Sequence, residues 1–285
     1  MGETGLLWFT LGLLTLRTVE FLIISSWSKI YILESELDLM AKIISYQRPG
    51  NLEEALSLIS LDKHVPLAGG TLLNTSEDKE PLHFVDLQGL PLKGIERSNG
   101  KLTIGSMATL DEIMKNSGCP DSIRLSSRSE LPSTLRTLAT IGGTVASGDP
   151  DSQLIASLLV HDAEVTILNS AGESNVPLQE VLGESDSSGT QLILSINLDT
   201  GGDCVMEATG RTPSDTPIVS VTARRCSDGY RMAVTGVAST PVLVDSESPT
   251  VSLQPSSDFR GDSEYRMHLV KILASRTLDL LDGEK

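Results

Sequence analysis

Two Gly-Gly-Thr segments constrain this chain more than any other feature. They are Pro66-Leu67-Ala68-Gly69-Gly70-Thr71-Leu72-Leu73 and Ala139-Thr140-Ile141-Gly142-Gly143-Thr144. Each glycine pair follows an apolar stretch and precedes a segment with helical spacing. Glycine admits positive φ and lets the backbone approach another group closely, because no Cβ intervenes. Successive N–H groups at such a turn, or at a helix start, form a concave donor site for phosphate oxygens. Two such loops in one chain suggest a pyrophosphate held from both sides, as in a dinucleotide. The same residues also read as ordinary strand-to-helix turns, and the pattern alone leaves both readings open.

Charge narrows the choice of partner. The chain carries 22 Lys and Arg against 38 Asp and Glu, a formal net charge of -16. Such a surface repels nucleic acid, and no basic stripe offsets it. With aromatics at 4%, there is little to build a base-stacking platform. An anionic cofactor must then be met by local dipoles, the backbone amides, with Arg136 as a nearby cation. A length of 285 residues with 39% hydrophobic and 21% charged residues fits a soluble globular protein of one or two domains. The three cysteines, Cys119, Cys204 and Cys226, form no close pair. They predict no disulfide framework and a cytoplasmic, reducing setting. They are also too few to hold an iron–sulfur cluster or zinc ribbon within this chain.

Residues 1–39 differ from the rest. Gly5 to Leu16 and Phe21 to Ser25 are apolar, but Arg17 and Glu20 interrupt them, so no clean span of about 20 apolar residues exists. No basic residue precedes the first run, as a signal peptide would require. We expect an N-terminal extension outside the fold, without a membrane anchor, and a folded chain from Met40 onward.

From Met40 the pattern alternates between strand and helix. Ile43 to Tyr46, Val65 to Ala68 and Phe84 to Leu87 read as strands, with a helix capped by Asn51 between the first two. A hairpin then turns at Asn99-Gly100. Thr109 caps a helix, and a polar stretch leads into the second glycine loop. Asp151 to His161 is helical, and Val165 to Leu168 and Leu192 to Ile196 are strands. Val205 to Ala208, Ile218 to Arg224 and Arg231 to Val237 read as an antiparallel meander, turning at Asp228-Gly229. After a polar loop from Asp245 to Asp262, Tyr265 to Leu281 forms an amphipathic helix.

Several short motifs carry little weight. Ser60-Leu61-Asp62-Lys63 and Ser76-Glu77-Asp78-Lys79 match a serine–lysine pattern, but no companion Lys-Thr-Gly is present. Asn74-Thr75-Ser76 fits a glycosylation acceptor without a secretory context. The four histidines are scattered singly. Asp149 and Asp151 read as a metal or acid–base pair or, more simply, as capping groups around Pro150.

Met40 to Leu281 resembles the FAD-binding medium subunit of the molybdenum hydroxylases, the family of xanthine dehydrogenase and carbon monoxide dehydrogenase. The two glycine loops are similar to that family's two FAD loops. Leu102 to Leu110 is similar to its Ile-Gly-Ala hairpin strand, and Val160-His161-Asp162-Ala163 to its Leu-Asp-Ala strand entry. Gly210 to Asp215 with Val219-Ser220-Val221 resemble the start of its C-terminal domain. The resemblance implies an α+β fold: a vanillyl-alcohol-oxidase-type FAD-binding domain of two α/β subdomains, followed by a small α+β C-terminal domain. The expected boundaries are 1–39 for the extension, 40–204 for the FAD-binding domain (subdomains 40–90 and 91–204) and 205–285 for the C-terminal domain.

The same resemblance assigns FAD contacts to Pro66, Leu67, Ala68, Gly69, Gly70, Thr71, Leu72 and Leu73 in the first loop. It assigns Thr140, Ile141, Gly142, Gly143 and Thr144 in the second, together with Gln153 and Ile193. It implies an electron-transfer role between an iron–sulfur subunit, a molybdopterin-binding large subunit and an external acceptor, in a dimer of heterotrimers. Three positions depart from the family pattern: Thr144 replaces Asn, Gln153 replaces Asp, and a flavin-contacting Lys is missing from Glu207-Ala208-Thr209. A subunit that keeps the complex together without flavin and a free-standing FAD oxidase are the competing expectations.

Overall fold

The computed structural model describes residues 43–72, 81–183, 191–210, 215–251 and 253–283. The expectations for residues 1–39, for Leu73 and for the motifs at Asn74 to Lys79 lie outside the described residues, as do Arg211 to Ser214.

Three sheets follow one another along the chain. In the first, β1 (Ile43–Gln47), β2 (His64–Leu67) and β3 (Leu82–Asp86) stand in the order β1-β3-β2, with both pairings parallel. Helix α1 (Leu52–Ile59) carries the chain from β1 to β2, which stand on either side of β3. Its start follows the sequence signal: the Asn51 side chain accepts the N–H of Glu54 at 2.8 Å. The Glu54 carboxylate reaches back to the N–H of Gly50 at 2.7 Å.

The second sheet contains β4 (Ile95–Ser98), β5 (Lys101–Gly105), β6 (Glu164–Asn169), β7 (Gly172–Pro177) and β8 (Leu192–Asp199). Their order is β4-β5-β8-β6-β7, all antiparallel. Asn99 and Gly100 take φ of 51° and 79°, the two positive values that a tight hairpin turn requires. Between β5 and β6 the chain forms five helices: α2 (Leu110–Lys115), α3 (Asp121–Glu130), α4 (Ser133–Arg136), α5 (Ile141–Ser147) and α6 (Gln153–Val160). A further helix, α7 (Leu178–Gly183), precedes β8.

Helices α3 and α4 replace what the sequence shows only as a polar stretch. The buried face of α3 is Ile123, Ser126 and Ser127, so two of its three buried positions give no hydrophobic signal. Helix α6 is the opposite case. All eight of its residues are buried, and it packs against α3 and the third sheet.

That sheet comprises β9 (Cys204–Thr209), β10 (Val219–Cys226), β11 (Gly229–Thr235) and β12 (Val242–Val244), in the order β12-β11-β10-β9. Helix α8 (Ser263–Asp282) lies across it, and Val219, Val221 and Ala223 share a core with Leu269, Val270 and Leu273. Gly229 pairs with Cys226, so the hairpin turns at Ser227-Asp228, one residue before the expected position.

A buried polar joint ties the third sheet to the second. Arg224 of β10 is only 4% exposed. Its Nη2 donates to Asp199 at the end of β8 at 2.9 Å, and to Asp162 at 3.4 Å. Beside it, His161 Nδ1 donates to the Asp199 carbonyl at 2.7 Å, and Nε2 meets the Ser122 hydroxyl at 2.8 Å. Both ring nitrogens are thus used by a neutral imidazole. Burial pushes the His161 pKa down from 6.5 to about 4. Glu130, at the end of α3, accepts the N–H of Leu154 at 3.2 Å, and burial raises its pKa from 4.5 to about 7.

These two shifts bend the pH dependence of stability in opposite directions. His161 has its folded pKa below the unfolded value, so stability falls as pH drops from about 6.5 towards 4. Glu130 has its folded pKa above the unfolded value, so stability falls as pH rises from 4.5 through about 7. Chemical denaturation across pH 4–8 should show His161→Asn flattening the acid limb. Glu130→Gln should gain about 1–2 kcal/mol above pH 7, since the amide keeps an acceptor for Leu154 without a buried charge. Unchanged slopes in both variants would contradict the assignment.

Candidate functional site

The two glycine loops meet at backbone level. A Cβ on Gly69 would stand 1.9 Å from the carbonyl oxygen of Leu138, just ahead of the second loop. A Cβ on Gly142 would stand 2.7 Å from the Ser106 Cβ and 2.8 Å from its carbonyl oxygen. Only glycine permits either approach. The segment after β5 is laced to the second loop: Gly142 N–H donates to Ser106 at 2.9 Å, Ile141 to Ala108 at 3.0 Å and Leu110 to Ala139 at 2.9 Å.

Around this junction lies a cavity of about 270 Å³. Pro66 and Ala68 contribute from the first loop, Ser106 and Met107 from the segment after β5, Gly142 and Gly143 from α5, and Leu192 and Ile193 from β8. Among the described residues that line it, none is ionisable. Among the described lining residues, proton transfer and nucleophilic attack by a titrating side chain have no agent. One polar atom is left over: Ser106 is 4% exposed, and its hydroxyl is buried without a hydrogen-bond partner. Of the unpartnered buried hydroxyls among the described residues, it alone belongs to a residue lining this cavity, where it is free to meet a bound group.

The loops differ in what they offer. The N–H groups of Gly69, Gly70 and Thr71 have no acceptor among the described residues, and Gly70 takes φ +67°. This is the open donor set expected of an anion cradle. In the second loop the amides of Ala139, Ile141, Gly142, Gly143 and Thr144 are engaged, and that of Thr140 has no acceptor among the described residues. Thr140 caps α5, taking the Gly143 N–H on its hydroxyl at 3.2 Å, and its carbonyl takes the Thr144 N–H at 3.0 Å. Amide donors are thus many in the first loop and few in the second. The first loop supplies three free amides, whereas the second supplies that of Thr140 and close approach through its missing side chains.

The other expected residues fall in several places. Ile193 lines the cavity. Leu67 closes β2, paired with Asp86. Leu72 ends the first described stretch beyond the loop. Thr140, Ile141 and Thr144 are buried behind the wall rather than in it. Gln153 is 6% exposed, and its Oε1 accepts the Ser129 hydroxyl at 2.6 Å, away from the cavity. Arg136 is directed elsewhere, donating through Nη1 to the carbonyls of Arg128 and Leu131 at 2.7 Å each. Asp151 pairs with Arg260 at 2.6 Å, and Asp149 accepts the Asp151 N–H at 2.9 Å, so the simpler, structural reading of the two acids holds. Among the described residues no three His, Cys, Asp or Glu converge as metal ligands. Cys119 and Cys204 are free thiols that burial raises to about 11, far from a reactive thiolate.

Sequence reasoning did not assign Ser106, Met107 or Leu192 to the site. A signal was present for the first two. Gly105 precedes them, and a Cβ there would stand 2.3 Å from the Leu92 carbonyl oxygen, so that glycine marks a tight crossing.

Comparison with known proteins bears on this geometry. Residues 41–198 match the family described as the FAD binding domain in molybdopterin dehydrogenase. The chain is 29% identical over 250 residues to protein YgfM of Escherichia coli strain K12, covering 82% of this chain and 94% of that one. It is 23% identical over 281 residues to the xanthine dehydrogenase FAD-binding subunit of Escherichia coli O157:H7, covering 84% and 96%. A chain of carbon monoxide dehydrogenase from Hydrogenophaga pseudoflava superposes with a TM-score of 0.77 at 19% identity, covering 86% of this chain and 99% of that one. That likeness shows the fold: mixed helix and sheet in the same arrangement.

If the backbone contacts close the site, Gly69→Ala and Gly142→Ala should each destabilise by about 1–3 kcal/mol as overpacking. Gly143→Ala should cost less, since its Cβ would meet only the Thr140 hydroxyl at 3.2 Å. Thermal unfolding of the three variants would check the ranking, and equal midpoints would refute it.

Proposed function

Because the chain belongs to the family of FAD-binding domains of molybdopterin dehydrogenases, we propose that its glycine-loop cavity holds FAD and that the chain is the flavoprotein subunit of a molybdenum hydroxylase complex. The observation that carries this reading is a cavity whose described lining holds no ionisable side chain, set between open amides and an unpartnered hydroxyl. Gly69, Gly70 and Thr71 would donate to the diphosphate, Ser106 would add a hydroxyl, and Gly142 and Gly143 would leave room for the backbone to come close. FAD, when bound, supplies electron exchange singly or in pairs. The chain's own share is to bind, orient and exclude water.

In this reading the subunit passes electrons from the clusters of an iron–sulfur partner to an external acceptor. A molybdopterin-binding large subunit completes the complex, as a dimer of heterotrimers. The substrate then belongs to the large subunit. We place the FAD-binding domain at 40–204 and the C-terminal domain at 205–285, and assign the protein to the cytoplasm, in keeping with its three free thiols. Among the described residues no helix is long and apolar enough to cross a membrane.

A second reading has one observation in its favour. Thr144 and Gln153, two of the departures from the family pattern, are both tied inward, to Thr140 and to Ser129. A site deprived of both contacts holds its cofactor less tightly, and in the limit the subunit is structural only. A free-standing oxidase is not supported by a cavity with no acid or base among its described lining residues.

Two results are expected. Gly143→Val fills the cavity wall and should lower flavin occupancy about 100-fold or more while unfolding cooperatively, an effect of the order seen when a contact of about 3 kcal/mol is lost. A folded variant with full flavin absorbance would refute the site. Purification from the native host should recover iron and molybdenum with the chain. A flavin-bearing monomer free of both metals would sink the subunit assignment.

A further inference from the structure

A second, open cavity of about 670 Å³ lies among α2, α3 and α4, and shares no lining residue with the glycine-loop cavity. Its wall carries Lys115, Arg124, Arg128 and Arg136 against a single acid, Asp121. This is a concentrated positive island in a chain of net charge -16. Helical spacing creates it, since Asp121, Arg124, Leu125 and Arg128 occupy one face of α3.

Not all of that charge is neutralised internally. Arg124 pairs with Asp121 at 2.7 Å, and Lys115 with Asp111 at 2.6 Å. Arg136 is fixed by its two carbonyl acceptors, yet its Nε is buried without a partner. The exposed Arg128 guanidinium has no hydrogen-bond or ion-pair partner among the described residues. It stands one helical turn from Arg124, a like-charge spacing that is unfavourable in isolation. Arginine cannot relieve this by losing a proton. An anion can.

We propose that this cavity binds a phosphate-bearing small molecule with two or more negative charges. Its donors come from three helices and hence from several directions, which suits a tetrahedral oxyanion better than a planar carboxylate. Guanidinium groups in such a setting bind phosphate bidentately. The volume exceeds that of phosphate alone and lies in the range of small-molecule sites. Met114 and Leu125, the latter 57% exposed, give the organic part an apolar wall.

Calorimetric titration of the full, flavin-loaded chain with inorganic pyrophosphate and, separately, with ADP tests this. The first probe reads the phosphate contacts alone, and the second adds an organic part. Saturable binding of at least one probe is expected, weakened about tenfold or more by Arg128→Ala without a lowered thermal midpoint, because the Arg128 side chain makes no hydrogen bond or ion pair among the described residues and its carbonyl, which accepts from Arg136, is kept. Binding at the glycine loops would not respond to this variant, so the two sites are told apart. Arg276→Ala, an exposed arginine on α8, should have no effect. No saturable binding of either probe, binding indifferent to Arg128→Ala, or an equal loss in Arg276→Ala would each overturn the proposal.

Discussion

Backbone-to-backbone contact at Gly69 and Gly142 is the constraint on which the remaining architecture depends. The first loop leaves the edge of a parallel sheet, and the second opens a helix beside an antiparallel one. They meet because neither glycine has a Cβ to hold Leu138 or Ser106 away. That contact fixes the cavity wall and carries Ser106 into it. It also leaves Gly70 in the left-handed region, with its N–H unclaimed by the described residues. Side-chain packing elsewhere stabilises the fold, but this junction decides the shape of the site.

Around it the sheets divide the labour. The five-stranded sheet contributes β8, whose first residues line the cavity, and holds α5 and α6 against its core. Helix α6 is buried on every side, so it transmits position between the glycine-loop region and the C-terminal sheet. The Arg224 joint with Asp199, Asp162 and His161 closes the far side. Most polar groups there are satisfied by one another, with the Arg224 Nε left without a partner. A neutral His161 is part of that arrangement, and its depressed pKa follows from burial.

Much of this was legible in the sequence. The Asn-Gly hairpin, the Asn51 and Thr109 caps and the long C-terminal helix stand where turn chemistry, capping spacing and apolar periodicity put them. The glycine pairs marked the backbone junction and the cavity beside it, since a backbone that must come close leaves a compositional trace. Helix α3 was missed because Ser126 and Ser127 fill buried positions without hydrophobicity. The division of roles between the loops was hidden for another reason. Whether an N–H is free depends on which carbonyl the fold brings beside it, and Ser106, Ala108 and Thr140 are set by tertiary contact. Arg136 looked like a cofactor cation from its position in the chain, whereas its carbonyl acceptors turn it to the basic cavity.

The central claim is that the glycine-loop cavity is built for a dinucleotide flavin. The most direct measurement is to purify the folded chain, denature it, and identify the released chromophore by chromatography and mass. The account predicts FAD, in an amount comparable with that of the protein. Release of FMN or riboflavin would contradict it, because the open amides would then have no diphosphate to bind, and so would a folded chain that releases no flavin.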